Sequence, residues 1–133
     1  MALEARCFAA YDGIFNRRQL RALLANPRAA WLIAGPFAGA ACLLVPANGH
    51  GRWGRLYSLA VDPRYRKQGI AKDLIAASFD WFRAQGLTVC RAEVKSDNLA
   101  ARRLYAAMGF VEGAMLPHYY GLGEWGLRLS RDL

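Results

Sequence analysis

The chain has 133 residues, 55% of them hydrophobic and 21% charged, which argues against a disordered chain and against two domains; a single domain over 1–133 with room for a core is expected. The net charge of +8 calls for an anionic partner, although scattered surface cations that keep a protein soluble account for part of it. Cys7, Cys42 and Cys90 are widely separated, and His50 and His118 are isolated, so no disulfide framework or metal site follows and a reducing, cytoplasmic setting is expected.

The opening Met-Ala-Leu-Glu-Ala-Arg is already charged, unlike a secretory leader. Residues 3–8 and 17–25 read as helical pieces separated by Tyr11-Asp12-Gly13. Leu20, Leu23 and Leu24 give the second piece an apolar stripe, and Asn26-Pro27 stops it. Residues 29–45 carry no charge and approach the length of a membrane span. Gly35-Pro36 and Gly39 are turn chemistry, however, so a hairpin of 31–34 against 40–45 is predicted and no membrane association. A polar, glycine-containing loop over 47–54 then leads into a strand at 56–61.

After an Asp62-Pro63 turn and a basic loop, a helix begins past Gly69. Its Ile70, Leu74, Ile75, Trp81 and Phe82 are spaced to pack on a sheet, and Gly86 closes it. Residues 87–95 form a strand with Leu87, Val89, Arg91 and Glu93 on one face and Cys90, Ala92 and Val94 on the other. A face that turns from apolar to charged suggests a strand leaving the core for a cleft. Asn98 opens a second helix with Leu99, Leu104, Ala107 and Met108 on its apolar side, and Gly109 ends it before a strand from Phe110. A loop carrying Pro117-His118-Tyr119-Tyr120 precedes a terminal strand over 123–129. The alternation argues a mixed α/β sheet flanked by helices.

The stretch 56–85 carries the most information. A strand feeding through a basic loop into a helix N-terminus builds an anion site, because the first helical N–H groups are unpaired and the helix dipole favours negative charge. Gly69 allows close backbone approach, Ala71 keeps the next turn small, and Arg66, Lys67 and Lys72 supply charge. Neither a G-x-G-x-x-G nor a Gly-Lys-Ser/Thr pattern is present. The pattern that stands here, Arg66-x-x-Gly69-x-Ala71, resembles the acetyl-CoA pyrophosphate loop of the GNAT superfamily of N-acetyltransferases. Leu59-Ala60-Val61-Asp62-Pro63 fits that family's central strand and turn. A second block, with Glu93, Asn98, Leu104-Tyr105 and Gly109-Phe110, resembles the branch containing bacterial ribosomal-protein alanine N-acetyltransferases, as does Tyr119-Tyr120. The resemblance runs from about Leu3 to the end and is strongest between Leu56 and Phe110.

The resemblance implies an α/β (α+β) fold with a mixed, largely antiparallel central sheet. It implies that the chain starts inside the family's first helix and lacks its first strand, leaving a sheet edge through which weak homodimers would form. It implies an acyltransferase with acetyl-CoA as cosubstrate and no metal. Acetyl-CoA would meet the loop residues Arg66, Lys67, Gln68 and Gly69 and the helix start at Ile70, Ala71 and Lys72. Backbone N–H groups near Leu59 and Val61 would polarise its carbonyl, and Asn98 would bind pantetheine or position the second helix. Glu93 would be the general base, directly or through a water, and Tyr105 would donate a proton or hydrogen bond to the sulfur.

Each of these residues also has a plain structural reading. Glu93 would otherwise be a solvated charge or an ion-pair partner of Arg91 or Lys95; Tyr105 would pack on the sheet; Asn98 would cap its helix. Tyr119 and Tyr120 would wall the acceptor pocket or form an ordinary aromatic patch, and Tyr11 and Phe15 would border the same pocket. An α-amino group, with a pKa of about 8, has a larger neutral fraction near pH 7 than lysine at about 10.4. A protein or peptide N-terminus is therefore favoured over lysine, with a small amine left open. The rival from another class is a non-catalytic basic module for RNA or ribosomes, which would need aromatics interleaved with Arg and Lys on a sheet face.

Overall fold

A computed structural model describes residues 25–34, 38–45, 52–65 and 69–133. The helical pieces expected before residue 25 lie outside that range, as do Tyr11, Phe15, Arg66, Lys67 and Gln68 and the question of a missing first strand. Six strands form one sheet: β1 (Ala29–Ala34), β2 (Gly39–Leu44), β3 (Trp53–Val61), β4 (Val89–Lys95), β5 (Val111–Gly121) and β6 (Glu124–Asp132). Their order is β1-β2-β3-β4-β6-β5. Helix α1 (Ile70–Ala84) connects β3 to β4, and helix α2 (Leu99–Ala107) connects β4 to β5. Among these strands β3 and β4 pair in parallel and all other neighbours are antiparallel, the mixed sheet expected.

The uncharged stretch is a hairpin, paired from Ala29↔Leu44 to Ala34↔Gly39. Strand β2 lies between β1 and β3, and Ala40, Ala41, Cys42 and Leu43 are fully buried on both its faces. A strand covered on both faces has no position for a charge, so it imitates a membrane span in sequence. No helix among the described residues is long and apolar enough to cross a membrane.

Helix α1 buries Leu74, Ile75, Ser78, Phe79 and Phe82 against the sheet. Trp81 packs against the core while partly buried, edge-on to Phe82, and Phe79 joins the buried set. Ser78 is tolerated inside because its hydroxyl donates to the Leu74 carbonyl at 2.7 Å. Gly86, at φ 79°, closes the helix as expected.

Several details differ from the sequence expectation, among them the hairpin strands, which run over Ala29–Ala34 and Gly39–Leu44, and β5, which starts at Val111. Strand β3 starts at Trp53, not residue 56, because residues 53–56 pair with β4 and Gly54 is a packing residue. A Cβ on Gly54 would lie 2.3 Å from the Phe82 ring. Strand β4 starts at Val89, while Leu87 is buried just before it. In α2 the buried residue is Tyr105; Leu99 is 55% exposed and Ala107 is exposed, so neither belongs to an apolar side. The segment 117–120 is not a loop: it lies within β5, an edge strand where proline costs no ladder hydrogen bond. Strand β6 accordingly starts at Glu124 and runs to Asp132.

Candidate active site

Strands β3 and β4 stay in register from Trp53↔Val89 to Leu56↔Ala92 and then part. Beyond that point β3 continues with β2 and β4 continues with β6. A bulge at Tyr57 shifts the β2–β3 register between Leu43↔Leu56 and Cys42↔Ser58, bending β3 where the gap opens. The Asp62 N–H donates to the Ala38 carbonyl at 2.7 Å, towards β2. Strand alternation therefore turns the N–H groups of Val61 and Leu59 the other way, into the gap.

The N-terminus of α1 stands beside the same end of β3. Gly69 occupies its N-cap with φ 76° and ψ 7°, a left-handed conformation without side-chain capping. Its carbonyl accepts the Asp73 N–H at 3.0 Å, while the N–H groups of Ile70, Ala71 and Lys72 have no acceptor within the helix. The Ile70 side chain packs on the core, so only its backbone is available to a ligand; Lys72 is exposed. Gly39 permits this approach, since a Cβ there would lie 2.9 Å from the Ala60 carbonyl oxygen and 3.2 Å from Ile70. An opened sheet with inward N–H groups, next to an uncapped helix start, fits an extended thioester carrying a pyrophosphate.

Glu93 sits where the gap begins, on the β4 face away from the core. Its side chain is 6% exposed, so it is neither solvated nor paired with Arg91 or Lys95. Arg55 Nε donates to Oε2 at 2.9 Å, and Arg128 Nε lies 3.5 Å from Oε1. Arg55 Nη2 also donates to the Tyr119 hydroxyl. Burial alone would lower the Arg55 pKa, but the charge and hydrogen bond of Glu93 outweigh it and hold the guanidinium firmly protonated.

Tyr105 approaches β4 from the opposite face. It belongs to the core cluster with Cys90, Ala92 and Val94 and meets Phe110 edge-on at 5.0 Å. Burial pushes its phenol pKa far up, with the nearby Cys90, Tyr120 and Glu93 adding to the rise. Glu93 and Tyr105 thus flank one strand at the gap, one on each side. Asn98 is a helix cap, its side chain accepting the Ala101 N–H at 3.0 Å.

Tyr119 lies over Gly126, where a Cβ would come within 3.1 Å of its ring, and Tyr120 meets it edge-on at 5.0 Å. Burial, then Tyr119 and Glu93, push the Tyr120 phenol up to about 12. Arg55, Arg128 and Ser58 were not among the expected site residues. Ser58 Oγ is buried at the bulge and makes no hydrogen bond to the protein. The signal for Arg55 is a charge inside an apolar run, visible only once β3 is extended back to Trp53.

The cation count around Glu93 is unusual. Arg91, Glu93 and Lys95 share one β4 face, with Arg55 opposite Arg91 and Arg128 opposite Glu93. Directly opposed like charges are destabilising. Arg91 is partly accommodated by lying 4.5 Å over the Trp53 ring.

Comparisons with known proteins agree with this geometry. The model of the acetyltransferase (GNAT) family matches residues 3–110. A [ribosomal protein bS18]-alanine N-acetyltransferase of Haemophilus ducreyi is 37% identical over 69 residues, covering 52% of this chain and 48% of that protein. The chain thus spans about half the length of the curated relatives it matches. The crystal structure of the ribosomal-protein-S18-alanine N-acetyltransferase from Escherichia coli superposes with a TM-score of 0.79 over 98% of this chain and 85% of that one, at 22% identity. The ribosomal-protein-alanine N-acetyltransferase from Brucella melitensis gives 0.77 over 99% and 93%, also at 22% identity. These two show a common fold. With the family model covering most of its length, the chain belongs to the acetyltransferase (GNAT) family.

Proposed function

We propose that the chain is an acetyl-CoA-dependent N-acetyltransferase acting on a protein or peptide α-amino group. The observation that carries the reading is the gap between β3 and β4, with Leu59 and Val61 N–H groups turned into it and Glu93 and Tyr105 on its two sides. Acetyl-CoA supplies the acetyl group as a thioester. The chain would bind it through Gly69, the first-turn N–H groups of Ile70, Ala71 and Lys72, and the cations Arg66 and Lys67 and the amide of Gln68 in the preceding loop. Leu59 and Val61 N–H groups polarise the carbonyl. Glu93 takes the proton of the attacking amine through a water, since its carboxylate is nearly buried and held by two guanidiniums. Tyr105, kept protonated by burial, gives a proton to the departing sulfur. Asn98 fixes the helix that carries Tyr105, and Tyr119 and Tyr120 border the acceptor.

The α-amino preference is supported by the curated relatives, whose names specify N-acetyl transfer to an alanine of ribosomal protein bS18. Calorimetric titration with acetyl-CoA, alongside an Arg66→Glu/Gly69→Trp double variant, tests the cosubstrate site. Saturable binding lost in the variant is expected; a folded wild type that binds nothing refutes the proposal. Turnover of an N-terminal peptide should fall about 100-fold or more in Glu93→Gln and about 10-fold or more in Tyr105→Phe, with acetyl-CoA affinity retained.

A further inference from the structure

This inference rests on the acetyl-transfer reading above and specifies its acceptor. Four cations, Arg55, Arg91, Lys95 and Arg128, stand on one sheet face around the carboxylate of Glu93. Glu124 offsets Lys95 weakly, at 3.8 Å. Arg55 is committed at both ends, to Glu93 and to Tyr119. Arg128 is different. Its Nε is buried without a hydrogen bond, 3.5 Å from Glu93, while 40% of the side chain remains exposed. The guanidinium is therefore anchored at its inner edge and open at its outer one. Solubility does not require an arginine beside a nearly buried carboxylate and a second guanidinium. Stability accounts for one guanidinium opposite Glu93 but not for the surplus around it, because the opposed Arg55 and Arg91 repel. A positive surplus kept at the mouth of a catalytic gap fits an anionic ligand.

We propose that Arg128, backed by Arg55, recognises a carboxylate on the acceptor, so that the preferred substrate is an amine with an acidic group close by. The carboxylate is either an Asp or Glu side chain just after a peptide N-terminus or the α-carboxylate of a free amino acid. The same cations disfavour the ammonium form of the entering amine and so favour the neutral nucleophile.

The test uses peptides identical except at their second residue, Ala-Glu, Ala-Gln and Ala-Lys, with free glutamate as a separate arm. Each is measured by kcat/KM and by calorimetric binding to the CoA-saturated full chain. Expected is an order Glu, Gln, Lys spanning about tenfold or more in both readouts and shrinking with added salt. Arg128→Gln should flatten the series, Arg128→Lys should keep its order, and acetyl-CoA affinity should stay unchanged in both. Charge-ordered peptides identify the side-chain carboxylate, whereas tight use of glutamate with no peptide order identifies the α-carboxylate; either supports the proposal. Turnover without any carboxylate preference overturns it and leaves the function intact. Charge-ordered binding without turnover sustains the subsite and refutes acetyl transfer. Loss of acetyl-CoA binding in Arg128→Gln would mean that Arg128 serves the cosubstrate, and overturns the proposal; so does absence of any acceptor binding.

Discussion

Arg55 Nε donates to Glu93 Oε2 at 2.9 Å across the point where β3 and β4 separate, and its Nη2 reaches the Tyr119 hydroxyl. One guanidinium thus holds the proposed base and the proposed acceptor wall in a fixed relation. Arg55→Met should destabilise the protein by about 1–3 kcal/mol, because Arg128 remains to compensate part of the Glu93 charge. It should lower kcat by about 10- to 100-fold as the carboxylate loses its orientation. Arg55→Lys restores charge but not the two-ended fork, and should recover stability better than kcat. Tyr119→Phe should instead act mainly on the KM of the acceptor. Denaturant melts and steady-state kinetics on the four proteins check these outcomes; equal kcat in wild type and Arg55→Met would remove Arg55 from the mechanism.

Among the described glycines, Gly54 leaves the least room for a side chain, because the Phe82 ring packs against its backbone. A Cβ at residue 54 would overlap the ring at 2.3 Å, and Phe82 is fully buried. Gly54→Ala should cost about 1–3 kcal/mol or more through overpacking. Phe82→Leu in the same chain should recover part of that loss, because the smaller side chain vacates the ring position. Thermal unfolding of the two single variants and the double gives the coupling directly; simple additivity would show that the clash is relieved elsewhere.

Gly54 also shows where sequence reasoning ends. Its ring partner lies 28 positions away, a separation no local pattern reveals, so a glycine after a polar loop reads as more loop. The segment Leu59-Ala60-Val61-Asp62-Pro63 is legible because alternation and Asx-turn chemistry are local; the Arg64 N–H does donate to Asp62 Oδ1 at 2.9 Å. Asn98 is legible for the same reason. The partners of Glu93 are not, since sequence offers Arg91 and Lys95 as neighbours, whereas strand pairing brings Arg55 from 38 residues away. Pro117 misleads in the other direction: proline argues against a strand, and only the edge position of β5 reverses the argument.

The bidentate pair between Arg102 and Glu112, at 2.9 and 2.8 Å, ties α2 to β5. The hydrogen bond from Arg102 holds the Glu112 carboxyl below its ordinary value. A lowered folded-state pKa means that this contribution is present above the unfolded value of about 4.3 and is lost as pH falls through the folded one. Glu112→Gln should therefore be less stable than wild type at neutral pH and show a flatter acid limb, with the two curves converging under strongly acidic conditions. Parallel curves from pH 7 to 3 would mean that the pair contributes nothing to folding. Both side chains are substantially exposed, so added salt should reduce the difference.

Cys90 sets the opposite limb. Its side chain is fully buried on the core face of β4, and burial pushes its thiol from 9.0 up to about 12. A raised folded-state pKa means that the stabilisation is complete below the unfolded value and is lost as pH rises from about 9 towards about 12, because the unfolded chain releases its proton first. By pH 10 the loss should be on the order of 1 kcal/mol. Tyr105 and Tyr120 act in the same direction but only above about 10, where an unfolded tyrosine ionises. Cys90→Ala should therefore lower stability at pH 8 by leaving a small cavity, yet lose less between pH 8 and 10 than wild type does. Guanidinium titrations at the two pH values measure the difference of slopes. The same burial should keep Cys90 unreactive towards disulfide reagents at pH 8 in the native protein and release it on unfolding. Rapid native labelling at Cys90 would instead mean that the β3–β4 gap opens deeper than Leu56↔Ala92.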